Sequence, residues 1–333
     1  MPQPMLPERL KPLLLPRGVS LPDAPSPRPA GLRDPLPTLT VVTPSYNQAA
    51  YLESTIRSVL TQGYPALEYF VIDGGSSDAS RSIIEHYAPA LSGWVSERDR
   101  GQVDAILKGL HRATGDWFIW INSDDVLAPG ALWTVAAAIQ QGEVDLIGGV
   151  TRQFDEHGAR GKVVCRQLDV RSLILEQLPS GCRWHQPAIW MRRDAMIASG
   201  IDTSSHFRFD YELLIRYLHQ SPRVRYLNDT LAYFRFHSES KTISTGPRFR
   251  DEHLDVLARL AKEPAFAAYA DDLSLGHRAV AWLRQVDALL ADRARPRFER
   301  LAELLRGARA DPDARWTRNT RRAARRIALK GGR

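Results

Sequence analysis

Between Leu39 and Gln140 the chain alternates short, wholly apolar runs with stretches of helical periodicity, and this alternation constrains its fold more than any other feature. Leu39–Thr43, Tyr69–Asp73, Gly93–Ser96 and Asp116–Asn122 read as strands, the last carrying Trp117, Phe118, Ile119, Trp120 and Ile121 in succession. Between them, Ala50–Thr61 puts Leu52, Ile56, Val59 and Leu60 on one helical face, and Ser80–Tyr87 does the same with Ile83, Ile84 and Tyr87. Gln102–Thr114 and Pro129–Gln140 read as further helices, the second opening on a proline where a helix tolerates one. Continuous apolar strands joined by helical crossovers imply a mostly parallel sheet covered on both faces. The fold class expected is therefore α/β: a Rossmann-like, mostly parallel central sheet flanked by helices. Further strands are expected at Asp145–Val150, His185–Arg192 and Leu231–Phe236, a hairpin around Asp155–Gly158, a helix at Asp210–Gln220, and an all-helical extension beyond about Pro247.

The flanks differ from this centre. Eleven of the 22 prolines fall in residues 1–37, which removes backbone donors and predicts an extended, largely disordered leader. At the other end, residues 306–333 carry a net charge of +8, so the total of +7 belongs to this basic tail and residues 1–305 are close to neutral. The organisation expected is a leader (1–37), a main domain (38–245), a helical region (246–305) and the tail (306–333). No apolar run approaches the roughly 18 residues of a membrane span. The cluster Leu13–Leu15 between two prolines is too short for a signal-peptide core. Cys165 and Cys182 have neither a disulfide framework nor metal-ligand spacing, which suits a reducing compartment.

Open parallel sheets bind ligands beyond the carboxyl ends of their strands. Here those ends carry Thr43-Pro44-Ser45-Tyr46-Asn47, Asp73-Gly74-Gly75-Ser76-Ser77-Asp78, Glu97–Gln102 and Asn122-Ser123-Asp124-Asp125. Each taken alone reads as a turn or a helix cap. Together they would crowd carboxylates into one cleft, a repulsion that a hard divalent cation relieves. Mg²⁺ or Mn²⁺ takes one or two protein carboxylates and completes its shell with water and substrate phosphates, so a metal-bridged nucleotide diphosphate fits an adjacent acidic pair. Glycine-rich phosphate loops of the GxxxxGK[ST] and GxGxxG types are missing from the sequence.

These four segments, with Asp104-Ala105 after the third, resemble the family-two glycosyltransferases of GT-A fold, in order and in spacing, over about residues 38–242. The resemblance implies an inverting enzyme that moves a sugar from a nucleotide-diphosphate donor to an acceptor hydroxyl. It implies that Thr43, Pro44, Ser45, Tyr46, Asn47 and Asp73 hold base and ribose, Asp73 accepting from a ring N–H. Asp99, Gly101 and Asp104 would line the donor pocket and Lys108 would face the diphosphate. Asp124 and Asp125 stand at the DxD-type motif, with Asp125 as metal ligand and Asp124 reaching ribose or metal; Asn122 occupies a position where many relatives have a third Asp. Phe209–Arg216 resembles the acceptor-side motif, which makes Asp210 the catalytic base; Glu212 is the in-helix alternative, otherwise an exposed helix charge. Arg235-Phe236-His237 with Ser240-Lys241 resembles the segment that closes over the donor phosphates, and His237 would complete the metal site or touch the diphosphate. Trp184, His185 and Gln186 lie at the position of the acceptor, with Trp190 a further sugar platform.

Two other classes compete. A sugar-1-phosphate nucleotidyltransferase would need a glycine-rich loop with a basic residue after the first strand, unlike Thr43–Asn47. A non-catalytic nucleotide-sugar-binding module would have no need of Asp210 or of Asp124-Asp125. In the tail, Trp316–Leu329 drawn as a helix puts Trp316, Thr320, Ala323, Ala324 and Ile327 on one side and five arginines around the rest, which reads either as a peripheral anchor on anionic lipid or as a frayed terminus. Nucleic acid is not expected, because no aromatic-basic interleaving is present. The resemblance further implies a saccharide or lipid-linked saccharide acceptor, bacterial cell-surface polysaccharide or glycolipid assembly, and a cytoplasmic enzyme at the inner face of the membrane.

Overall fold

The computed structural model describes residues 6–22, 27–238 and 246–329, and Ser240-Lys241 lie outside these described residues. Strands β1 (Leu39–Ser45), β2 (Leu67–Asp73), β3 (Gly93–Ser96) and β4 (Trp117–Trp120) are the apolar runs, and helices α1 (Leu52–Leu60), α2 (Ser80–Tyr87) and α3 (Gln102–Arg112) are the crossovers. β5 (Val126–Leu127), α4 (Ala131–Ile139), the hairpin β6 (Leu146–Asp155)–β7 (Gly158–Val164), α5 (Val170–Ile174), β8 (Ile189–Arg192), α6 (Arg193–Ser199), α7 (Phe209–Gln220) and β9 (Val224–Arg235) follow. The sheet runs β3-β2-β1-β4-β8-β6-β9-β5, with β7 paired to β6. The first four strands are parallel, as are β6 and β9, while β8, β7 and β5 insert antiparallel.

Period-two alternation sorts the side chains of these strands. Val41, Tyr69, Val71, Trp117 and Ile119 pack on one face with Ile56 and Val59 of α1, Ile83 of α2 and Leu132 of α4. Val42, Phe70, Ile72, Phe118 and Trp120 pack on the other with Ile106 of α3 and Leu213 and Leu214 of α7. Each such aliphatic or aromatic side chain contributes roughly 1.5–3 kcal/mol on burial. Gly109 lets α3 lie directly on β1, since a Cβ there would come within 2.5 Å of the Val42 side chain.

Several expectations are corrected. His185–Arg192 is not one strand: Gln186–Ala188 forms a 3-10 turn before β8, because Pro187 has no N–H for the ladder. β6 runs on to Asp155, and β9 begins at Val224 rather than near Leu231. The described leader residues form no helix or strand, yet they are not a free coil: residues 7–14 are hydrogen-bonded along α1, and Leu21 is buried.

The C-terminal helices are α8 (Gly246–Leu260), α9 (Ala270–Ala291), α10 (Arg297–Ala310), α11 (Pro312–Arg315) and α12 (Arg318–Leu329). Val256, Leu257, Leu260, Leu273 and Val280 join the core that contains α7, so α8 and α9 extend the main domain. The expected boundary at 305/306 cuts through α10, and the region beyond it is no loose tail. Ala323 and Ile327 of α12 close a small core with Trp282, Val286, Leu289, Leu304 and Ala308, and Trp282 Nε1 donates to Thr320 Oγ1 at 3.0 Å.

Candidate active site

Parallel register brings the first loops side by side: Ser45 pairs with Asp73, and Asp73 with Ser96. Asp73 is fully buried. Its Oδ2 accepts from the Ser76 N–H at 2.9 Å, the Gly75 N–H at 3.2 Å and Ser96 Oγ at 2.8 Å, while Oδ1 accepts from Ser76 Oγ at 2.5 Å. Both oxygens of Asp73, expected to accept from a ring N–H, are engaged by donors of the loop itself. Asn47 is its counterpart in the loop after β1, held at φ 51°, with Oδ1 accepting from the Ser77 N–H at 2.9 Å. Thr43, Pro44 and Ser45 are buried, and Thr43 Oγ1 lies 3.0 Å from Tyr69 OH. Of the Thr43–Asn47 segment only Tyr46 and Asn47 reach the surface, Tyr46 with 61% of its area exposed. Asp99 leans over Gly74, where a Cβ would meet Asp99 Oδ2 at 2.7 Å, and its Oδ1 accepts from the Gly101 N–H at 2.8 Å. Lys108 does not present its ammonium freely toward a diphosphate: Nζ lies 2.9 Å from Glu97 Oε1 and 3.6 Å from Asp104 Oδ2. Asp104, expected to line the donor pocket, accepts from the Arg100 N–H at 3.2 Å and so braces the loop before α3.

Beyond β4 the acidic pair divides its roles. Asp125 is fully buried; Oδ1 accepts from the Arg235 N–H at 3.0 Å and Oδ2 from Asn122 Nδ2 at 3.4 Å. Burial, and then the charge of Asp124, push its pKa well above the usual carboxylate range. Asp124 keeps 20% of its side chain exposed, and its Oδ2 lies 2.8 Å from His237 Nε2. Asp125, expected as the metal ligand, is thus enclosed and braced, whereas Asp124, paired with the largely buried His237, keeps part of its side chain exposed. The His237 ring packs on Tyr51 with centroids 4.6 Å apart. Among the described residues no group of three or more His, Cys, Asp or Glu side chains forms a ready metal cage. One carboxylate and one imidazole nitrogen nevertheless fit a hard divalent ion whose remaining ligands are phosphate oxygens and water.

The second half of the site lies on the other side of β4. Gln186 Nε2 donates to the Trp120 carbonyl at 2.7 Å, and Gln102 Nε2 donates to Asn122 Oδ1 at 2.6 Å. Both anchor at the same strand end, so the acceptor-side turn and the donor loops share it. Asp210, in the first turn of α7, lines a small hollow with Trp120, Trp184, Gln186, Ile189, Met191 and Leu214. Burial against these mostly apolar walls raises its pKa to about 6, offset only partly by Arg208. Glu212 is no exposed helix charge: it is 1% exposed and accepts from Arg216 Nη2 at 2.7 Å, which removes it as the alternative base. His185 packs against Phe234 with centroids 4.4 Å apart, and burial lowers its pKa to about 4, so it is neutral at pH 7. Trp184 lines the hollow, whereas Trp190 is core.

Arg208, Glu176 and Glu252 left no readable trace in the sequence, and Arg235 stands out there only as part of the segment around His237. Arg235 donates from Nε to the Asp124 carbonyl at 2.9 Å and lies over the Tyr51 and Phe154 rings. Arg208 pairs with Glu176 and stacks 3.9 Å over Tyr211. Glu252 of α8 takes donors from the loop before α7: Ser205 Oγ at 2.8 Å and the N–H groups of His206, Phe207 and Arg208 at 3.1, 2.7 and 3.1 Å. Burial opposes ionisation of Glu252, but these donors outweigh it and hold its pKa low.

The profile of glycosyl transferase family 2 matches residues 40–196, the span that builds β1 to β8 and the donor loops. Over these residues, just under half of its length, the chain is similar to that family. An uncharacterized glycosyltransferase of Nostoc sp. is 26% identical over 217 residues, 62% of this chain and 67% of the relative. A putative teichuronic acid biosynthesis glycosyltransferase of Bacillus subtilis, TuaG, is 36% identical over 92 residues, 27% of this chain and 36% of the relative. Among solved structures, the mannosyltransferase PcManGT of Pyrobaculum calidifontis, in complex with GDP-Man and Mn²⁺, aligns with a TM-score of 0.58 at 19% identity, over 92% of each chain. That likeness establishes the GT-A fold of this glycosyltransferase, including its helical extension.

Proposed function

We propose that this glycosyltransferase moves a sugar from a nucleotide-diphosphate donor to an acceptor hydroxyl with inversion at the anomeric carbon. The observation that carries the reading is Asp210: a carboxylate at the mouth of an apolar hollow, its pKa raised to about 6, beside the strand end that also bears the donor loops. A sugar hydroxyl is a weak nucleophile at neutral pH, and a desolvated carboxylate still ionised at pH 7 is suited to accept its proton as the new C–O bond forms. The bond from the anomeric carbon to the diphosphate breaks, and a nucleoside diphosphate leaves. One base suffices for such a direct displacement. Exposed Tyr46 offers a face for the base of the nucleotide, Asp99 and Gly101 border the donor, and Trp184 walls the acceptor side. Asp124 and His237 would hold a divalent cation, Mg²⁺ or Mn²⁺, which when bound supplies charge neutralisation at the departing diphosphate. The relative TuaG supports a role in cell-surface polysaccharide assembly. Screening a panel of nucleotide sugars for nucleoside diphosphate release tests the reading; release of pyrophosphate would identify a nucleotidyltransferase instead, and binding without turnover a non-catalytic module.

A peripheral role at an anionic surface takes a changed form. The apolar side of α12 is packed inside the protein, so insertion into lipid is not available to it. Arg318, Arg321, Arg322, Arg325 and Arg326 remain exposed, which favours a purely electrostatic contact. Among the described residues no helix is long and apolar enough to cross a membrane.

A further inference from the structure

The polar face of α1 is buried by α2 and by the leader together: Tyr87 OH of α2 donates to Glu53 Oε1 at 2.8 Å and accepts from Arg57 Nη1 at 3.2 Å. Glu53, Ser54 and Arg57, spread over one helical turn, are 0%, 1% and 2% exposed. The proline-rich leader covers them. Leu10 N–H donates to Glu53 Oε1 at 2.7 Å, Leu14 N–H donates to Ser54 Oγ at 2.9 Å, and Arg57 Nη1 donates to the Pro7 carbonyl at 2.8 Å. Lys11 Nζ adds a bond to the Ala50 carbonyl at 3.2 Å, and His86 Nε2 lies 2.8 Å from the Glu8 carbonyl. A segment with few backbone partners of its own suits this task, since its N–H and C=O groups are available to side chains of the helix beneath.

At its far end the same segment touches the donor side. Arg235 Nη2 donates to the Leu14 carbonyl at 2.5 Å. Through Nε the same guanidinium holds the Asp124 carbonyl at 2.9 Å, and the Arg235 N–H holds Asp125 Oδ1 at 3.0 Å. Tyr51, at the start of α1, lies between the Arg235 guanidinium, 4.8 Å from its ring centroid, and the His237 ring at 4.6 Å. One planar fork therefore ties leader, acidic loop and His237 strand end together, a geometry that Lys cannot reproduce.

We propose that the leader and Arg235 form a strap that positions the Asp124-Asp125 loop and His237, with Arg235 as the positioning residue. Leu10 and Leu14 are 50% and 45% exposed, so loosening residues 7–14 uncovers mainly polar groups of α1 that water can take over. The strap thus governs where Asp124 and His237 sit rather than whether the domain folds. The proposal rests on the donor-side role given above to Asp124 and His237, but its first readout does not.

The test uses the full-length chain with two variants: Lys11→Ala/Ser54→Ala, which removes the leader's bonds to Ser54 and to Ala50 just ahead of α1 and so loosens residues 11–14, and Arg235→Lys, which removes the fork. Amide hydrogen exchange without ligand is followed at residues 10–14 and 122–127, with strand β1 as internal reference. Both variants are expected to speed exchange at 122–127 by about tenfold, the order of one lost hydrogen bond to a charged group, with β1 unchanged. Calorimetric titration with GDP or UDP in the presence of Mn²⁺ is expected to show affinity weaker by about tenfold. Unchanged protection at 122–127 in either variant overturns the strap. Faster exchange there with unchanged nucleotide affinity overturns its role in donor binding, while the family's activity, scored by donor turnover of the parent protein, is judged separately.

Discussion

Replacing Asp210 by Asn is expected to remove the chemistry and strengthen the fold, in opposite directions from one cause. Burial raises the Asp210 pKa from 3.8 to about 6, so the folded state holds the neutral acid more tightly than the unfolded chain does. The stability contribution is present below pH ~4 and is lost as pH rises through about 6, because above that value the fold must carry a desolvated charge. A shift of roughly two units corresponds to about 3 kcal/mol, an upper figure because Asp210 retains partial exposure. The asparagine keeps an oxygen for the Tyr211 N–H, from which Asp210 Oδ1 now accepts at 2.7 Å, and it carries no charge. Urea unfolding of parent and variant at pH 4 and at pH 7.5 measures the effect. The stability difference should favour the variant by up to about 3 kcal/mol at the higher pH and shrink toward zero at the lower. With the correct donor and acceptor, kcat of the parent should rise through pH ~6 on the acid limb, and the variant should lose about two or more orders of magnitude in kcat while its nucleotide affinity holds. A stability difference that stays constant between these pH values would refute desolvation of Asp210, and undiminished turnover would remove it from the mechanism.

The acidic pair should separate by phenotype. Asp124→Asn is expected to leave the melting temperature nearly unchanged and abolish Mn²⁺-dependent nucleotide binding, whereas Asp125→Ala, which strips the buried Arg235 N–H of its partner, should cost about 1–3 kcal/mol in stability; equal melting curves would restore Asp125 as the outward ligand. Glu252→Ala removes the acceptor of four donors before α7, and a loss of about 2–4 kcal/mol with slowed turnover is expected by denaturant titration and steady-state assay; a stable, fully active variant would show that the loop holds itself. Vesicles rich in anionic lipid should co-sediment the protein at low salt and release it at about 0.5 M salt. Equal binding to neutral vesicles, or salt-resistant binding, would argue against an electrostatic contact through α12.

The pattern from Leu39 to Gln140 was legible because strands buried on both faces must be apolar throughout and their crossovers must show one apolar stripe. Both signals are local and survive in a linear chain. The loops at the strand ends were legible for a related reason: folding alone gives little cause to gather Asp, Asn and Ser at successive sites. The roles within those loops were not legible. Asp73, Asp125 and Lys108 differ from Asp99, Asp124 and Asp210 only in which neighbours their side chains meet, and those neighbours come from other elements. Glu252 stands far beyond Asp210 in the chain and is fixed to its loop by packing of α8 against α7, a relation with no periodic signature. The two flanks failed for the opposite reason. Proline content and net charge describe what a segment cannot do alone, and neither reveals that α1 offers it side-chain partners or that Trp282 offers α12 an apolar surface.

The sequence by itself therefore determined the sheet, its crossovers and the edge at which chemistry gathers, since hydrophobic periodicity and strand-end polarity are properties of short segments. Tertiary structure alone decided which carboxylate is a brace, which keeps an exposed edge and which is desolvated. Ionisation and hydrogen bonding depend on the distance to groups far along the chain, and only folding sets that distance.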